Sequence, residues 1–252
     1  MKTFGLKFLF STFFLLLILP SCFNKPAKQE VANAENIVND TTEILKVPFS
    51  NNPSKIEYEI SVLKGTKTMH GIRKRFYPHG SVYSEGRYVN GKKNGITYTY
   101  YQEYGGAKPK IWKEQPYVDG KMEGICRRFH KNEKLQAEYE YKGGLPAIGF
   151  KEWNESGKEV TLPKLNLTKE VVNHQTYISA RMSNNTKNVK YYSGNLVEGK
   201  FVPKNLIPLF TKDGKGELTI PHTSNQKSVT IIAELSTRYW NKYNISKTIR
   251  LE

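Results

Sequence analysis

The side chains that could carry acid–base, nucleophilic or metal chemistry here are five histidines, a few paired carboxylates and two cysteines. His70, His79, His130, His174 and His222 stand apart. None lies in the His-x-x-x-His or His-Glu-x-x-His spacing that turns two imidazoles toward one metal. No serine occupies a Gly-x-Ser-x-Gly elbow. Glu57/Glu59 and Glu138/Glu140 share strand faces at i, i+2, a placement open to general acid–base work, yet on an exposed strand such pairs are simply solvated. Asp213-Gly214-Lys215-Gly216-Glu217 is glycine-rich but precedes a strand rather than a helix, so it predicts a hairpin turn and not a phosphate loop. His70 and His79 flank a predicted hairpin and suit turn or strand-end positions. These residues predict no enzyme, no cofactor and no metal centre.

The two thiols differ in setting. Lys2 and Lys7 precede the apolar run Phe8 to Leu19, which is too short to span a bilayer and fits the core of a secretory signal. Leu19-Pro20-Ser21-Cys22 then resembles a bacterial lipobox. That resemblance implies cleavage after residue 21, acylation of Cys22 and attachment to a membrane by burial of acyl methylenes. Phe23 lacks the aspartate that retains some lipoproteins in the inner membrane, so the expected location is the cell envelope at the outer membrane. Cys126 is then the only other thiol. It has no disulfide partner and no neighbouring ligand at metal spacing, and is expected to be a half-buried structural residue.

The elements behind these residues are set by a repeat. His70-Gly71-Ile72, Asn94-Gly95-Ile96, Glu123-Gly124-Ile125 and Ile148-Gly149-Phe150 recur along the chain. Tyr88-Val89-Asn90-Gly91, Tyr117-Val118-Asp119-Gly120 and Tyr141-Lys142-Gly143-Gly144 recur between them. Asn-Gly, Asp-Gly and Gly-Gly favour two-residue hairpin turns, because both turn positions need positive φ. Each unit is therefore a hairpin of about 24 residues, and such units stack. Strand parity places Ile72, Ile96, Ile125, Phe76, Tyr100 and Phe129 on one face, expected to be the apolar one. Arg73, Arg75, Thr97, Thr99, Cys126 and Arg128 fall on the other, expected to be wet. The second unit is lengthened by a loop at Glu103 to Pro109, and Pro116 predicts a bulge or an unpaired stretch.

Tyr83-Ser84-Glu85-Gly86-Arg87-Tyr88-Val89-Asn90-Gly91-Lys92-Lys93-Asn94-Gly95 resembles the MORN repeat, in the bacterial variant often labelled a toxin–antitoxin system antitoxin. The resemblance covers residues 64 to 160, weakens at the third unit, where Gly86 has no equivalent, and at the fourth, where Trp153 comes one position early. It implies an elongated antiparallel sheet of hairpins used for protein contacts or, in some members, phospholipid contact. An immunity or antitoxin-like role toward a secreted toxin is one alternative, and an envelope hydrolase or carbohydrate-active enzyme another.

The expected organisation is a signal segment over 1–21, a lipid-anchored tether over 22–54 with a transient helix across 31–45, a repeat sheet over 55–160, and a small β-sandwich over 161–252. Strands at Tyr177 to Met182, Val189 to Tyr192, Leu218 to Pro221, Ser228 to Leu235 and Tyr243 to Leu251 carry the last of these. It loosely resembles immunoglobulin-like modules of envelope proteins without their Cys, Trp, Cys arrangement. The fold class is all-β.

Net charge is +16, or +14 once Lys2 and Lys7 leave with the signal. An exported, lipid-anchored protein does not predict a nucleic-acid partner. An anionic lipid or glycan and an acidic protein remain as partners, beside a solvated lysine-rich surface with no specific ligand. Rigid amphipathic rings near guanidinium groups are efficient docking residues. Tyr101, Tyr104 and Trp112 with Arg73, Arg75 and Arg128 are the candidate binding residues.

Overall fold

The computed structural model describes residues 41–221 and 224–251. The signal segment, Cys22, most of the tether and His222 lie outside them. The described chain is all-β, with no helix.

The first sheet contains β1 (Thr42–Phe49), β2 (Asn52–Leu63), β3 (Met69–Phe76), β4 (Val82–Val89), β5 (Lys92–Lys93), β6 (Gly95–Tyr100), β7 (Ile111–Val118), β8 (Lys121–Met122), β9 (Gly124–Phe129), β10 (Leu135–Lys142), β11 (Leu145–Pro146) and β12 (Lys151–Glu152). Its main path runs β1-β2-β3-β4-β6-β7-β9-β10 in sequence order, all antiparallel. The sheet starts earlier than expected. Thr42–Phe49 is a full strand paired along β2, not tether or helix, because Ile44 and Val47 suit a pleated strand and β2 supplies a ladder that an isolated segment lacks.

The repeat has a structural meaning. Three of the four recurrent glycines stand directly opposite a recurrent tyrosine: Gly71 opposite Tyr88, Gly95 opposite Tyr117, Gly124 opposite Tyr141. These glycines sit at φ of 101°, 94° and 94°, a region that side chains rarely adopt. The turns Asn90-Gly91, Asp119-Gly120 and Gly143-Gly144 all have positive φ at both residues, as the hairpin reading requires. Each turn glycine donates its N–H to the preceding unit, at Met69, Lys93 and Met122 respectively. A side-chain staple repeats too. Tyr77 donates to the Tyr100 carbonyl at 3.1 Å, Tyr101 to the Phe129 carbonyl at 2.8 Å, and His130 Nε2 contacts the Trp153 carbonyl at 2.8 Å.

The expected burial of the two faces is reversed. Thr97, Thr99 and Cys126 are buried, the last completely, while Ile96 and Ile125 on the supposed apolar face are each 37% exposed. The cause is the glycine–tyrosine pairing. Tyr88, Tyr117 and Tyr141 all rise on the face of Thr97 and Cys126, where large rings cover a row of small side chains. The other face carries a row of charges, one residue per strand: Lys46, Glu59, Lys74, Glu85, Tyr98, Glu114, Arg127, Glu138 and Lys151 are successive cross-strand neighbours. Opposite charges alternate along it, with Arg127 bridging Glu138 at 3.2 Å and Lys74 bridging Glu85 at 3.5 Å.

Pro116 lies opposite Ile96 with its carbonyl turned toward Glu123. Its missing N–H therefore faces the side where pairing with β9 has already ended at Glu114, the unpaired stretch expected there.

The remaining strands are β13 (Leu165–Val172), β14 (Gln175–Met182), β15 (Val189–Ser193), β16 (Ile207–Pro208), β17 (Phe210–Lys212), β18 (Lys215–Pro221), β19 (Ser228–Ser236) and β20 (Lys242–Arg250). They form two four-stranded sheets, β13-β14-β18-β17 and β16-β15-β19-β20. Asp213 and Gly214 make the β17–β18 turn, both at positive φ. Ile178, Ala180, Met182 and Ile220 from one sheet meet Val189, Tyr191, Ile231, Ala233 and Leu235 from the other. Ala137 and Phe150 of the repeat region join that same core, with Phe150 between Tyr139 and Tyr243. The repeats and the sandwich are thus packed into one another.

Candidate functional site

Two half-buried cations without ion-pair partners among the described residues meet where the repeat sheet approaches the β19–β20 turn. On the ring-bearing face, Tyr58, Arg75, Ser84, Thr99, Lys113, Arg128, Ala137 and Glu152 are successive cross-strand neighbours. Lys113 and Arg128 are therefore directly opposite on adjacent strands, an arrangement of like charges that destabilises a sheet. Neither has a carboxylate at ion-pair distance among the described residues. Burial pushes the Lys113 ammonium down to about 8, and the Arg128 guanidinium pushes it the same way.

A β-bulge aims an indole at this pair. Thr99 faces Lys113 but Tyr100 faces Ile111, so Trp112 is the extra residue. The same shift recurs at Tyr83 and Gln136 in the neighbouring units. Lys113 Nζ lies 3.7 Å from the Trp112 ring centroid, the Arg128 guanidinium 5.7 Å away, and the Tyr101 ring 6.1 Å away. From the sandwich, Trp240 brings its carbonyl to 3.4 Å from Arg128 Nη1 while leaving its own side chain 82% exposed.

Behind the surface lies a buried polar junction. Thr237 Oγ1 donates to Glu152 Oε1, and Asn241 Nδ2 donates to the same oxygen at 2.7 Å. Asn241 Nδ2 also reaches Gln136 Oε1 at 3.4 Å, and Gln136 lies 3.4 Å from His130 Nδ1. These bonds tie the turn's position to β10 and β12.

Of the residues nominated from sequence, Tyr101, Trp112 and Arg128 come together here. Tyr101 is half-buried, and its hydroxyl is held by Phe129; burial raises that hydroxyl's pKa, with Arg128 opposing and Glu155 reinforcing. Tyr104 is 66% exposed and stacks on His79, with ring centroids 4.4 Å apart. Arg73 and Arg75 lie elsewhere on the sheet, over Tyr58 at 4.4 and 5.5 Å, and Arg75 is bound to Glu57 at 2.9 Å. Sequence reasoning missed Lys113 and Trp240. Lys113 adjoins Trp112, and the parity count that found Arg128 could have found it; Trp240 is 112 residues from Arg128 and carried no local signal.

Three histidines have structural bonds. His79 Nε2 lies 2.7 Å from both the Glu103 carbonyl and Ser81 Oγ. One nitrogen cannot donate to the carbonyl and also take the serine proton, so this contact closes a turn. His70 faces Asn90, and His130 is the staple described above. Cys126 is enclosed, and burial pushes its thiol up to about 12. A hollow of about 290 Å³ over β13 and β14 is lined by Asn166, Arg181 and Asn185 among others, with Arg181 its one ionisable group. No protein-family model matches the chain, and no curated protein matches it.

Proposed function

We propose that this protein is a lipid-anchored docking or scaffold module of the cell envelope, with Cys22 as its acylated anchor at the outer membrane and its repeat sheet as the protein-contacting element. The single observation that carries the docking role is the surface of Trp112, Lys113, Arg128 and Trp240, in which cations without carboxylate partners lie over the Trp112 indole and the exposed Trp240 joins them through its carbonyl on Arg128. Tryptophan and arginine dominate the energetic centres of protein interfaces, because each combines a large desolvated area with a directional polar group. The similarity of residues 83–95 to MORN repeats supports the same role, and the lipobox-like Leu19 to Cys22 supports the anchor.

Affinity purification from gently solubilised envelopes tests both parts. The wild-type chain should recover a stoichiometric protein partner that is lost when Trp112→Ala and Trp240→Gly are combined, with the melting transition retained. Cys22→Ala should move the protein from the membrane to the soluble fraction. Unchanged partner recovery by the double variant would remove the docking assignment, and membrane retention of the Cys22→Ala chain would remove the anchor.

A further inference from the structure

We infer that the Trp112, Lys113, Arg128 and Trp240 surface takes an extended acidic protein segment, with carboxylates on Lys113 and Arg128 and an apolar side chain against Trp240; this rests on the docking reading above.

Charge complementarity sets the class. On the opposite face the cross-strand row is balanced, with Lys46, Lys74, Arg127 and Lys151 against Glu59, Glu85, Glu114 and Glu138. On this face Lys113 and Arg128 oppose one another, and the nearest carboxylate in their row, Glu152, is buried with Oε1 taken by Thr237 and Asn241 and at ion-pair distance from neither cation. An incoming carboxylate relieves a repulsion built into the sheet. Arg128 Nε is buried and Nη1 donates to the Trp240 carbonyl, so the guanidinium meets the carboxylate through its terminal nitrogens.

Trp240 supplies the second observation. Its N–H closes the turn on the Thr237 carbonyl, as Gly80 does on Tyr77 and Gly157 on Asn154. Glycine fills those two positions and the exposed Glu133 the same place on His130 at φ 65°, whereas here a large indole is held at φ 59° and exposed. A bulky residue in a strained, glycine-favoured conformation, pointing at solvent, indicates a role outside folding.

The same geometry disfavours other anions. The backbone N–H groups of β7 and β9 lie in the plane of the sheet, so no nest of amides is available to cradle a phosphate or sulfate. Glu155 stands near Tyr101 at the margin, and a uniformly anionic lipid plane or polysaccharide would meet it. A short segment with carboxylates separated by apolar residues offers groups to both the cations and the exposed Trp240.

The test uses the full chain carrying Cys22→Ala, with a fluorescent peptide of alternating Glu and Leu as probe at physiological salt. Phosphatidylglycerol vesicles and heparin fragments form the other arms. The peptide should bind, Lys113→Glu and Trp240→Gly should each weaken it at least about tenfold, and Lys212→Glu on β17 should change it less than twofold. Trp240→Gly should melt at or above the wild-type temperature, which separates lost contact from lost fold. Equal affinity across the three variants, or capture by vesicles or heparin without the peptide, overturns the inference. If the peptide fails while the envelope partner is still recovered through Trp112, the acidic class falls and the docking role stands; if both fail, the docking role falls with it.

Discussion

Two residues show how tightly the ring-bearing face is filled. A Cβ added at Gly86 would meet Thr97 Oγ1 at 2.7 Å, and Thr97 is buried with that hydroxyl unpartnered. Gly86→Ala should therefore destabilise the protein by about 1–3 kcal/mol through overpacking. Adding Thr97→Ala should recover much of that loss, so urea titrations of the single and double variants should yield a coupling of about 1 kcal/mol or more. Additive effects would show that Gly86 is needed for another reason. Lys113 makes a second prediction. Its depressed ionisation means that, between about pH 8 and the ordinary 10.5, the folded state binds fewer protons than the unfolded one, so this group's contribution to stability rises with pH. Lys113→Met should be more stable than wild type at pH 7, and the difference should shrink as pH approaches 10.5. A pH-independent difference in melting temperature would count against the penalty on the Lys113 charge, from burial first and Arg128 second, as its origin.

Among the elements, the junction between the β19–β20 turn and the repeats is held by a few polar bonds. Glu152 is 1% exposed, and Oε1 takes both Thr237 and Asn241. Asn241→Ala removes a donor from a buried carboxylate and should lower stability by about 1–3 kcal/mol, whereas Lys242→Ala next to it, an exposed partner of Glu234, should change it by less than about 1 kcal/mol. Thermal melts of the two variants check this. Hairpin turns and most strands were legible in the sequence, since Asn90-Gly91 or Asp213-Gly214 dictates backbone sign locally. The bulges were not. Trp112 is displaced by one residue because β6 and β7 change register, a property of the pair rather than of either strand. Tyr101 was expected to meet a partner protein, yet its hydroxyl is a staple between units.

For the whole molecule, one core joins the repeats to the sandwich. Phe150 is buried between Tyr139 and Tyr243, and Ala137 is enclosed in the same cluster as Ile231 and Ala233. Urea unfolding followed by tryptophan fluorescence and by far-UV circular dichroism should give coincident single transitions. Phe150→Ala should lower the stability read by both probes by about 3–5 kcal/mol. Separated transitions would mean that the two regions unfold independently.

The sequence by itself determined the all-β class, the turns and the repeating units, because glycine-bearing turn pairs and alternating side chains act over a few residues. It also brought out Trp112 and Arg128 as residues of interest. Tertiary structure alone decided which sheet face is covered. Parity assigns residues to two faces but does not say which one receives the rings of Tyr88, Tyr117 and Tyr141, and the larger rings outweigh the isoleucines. It also decided that Trp240, from the far end of the chain, meets Arg128, since that contact exists only once the sandwich turn is seated on Glu152 and Gln136.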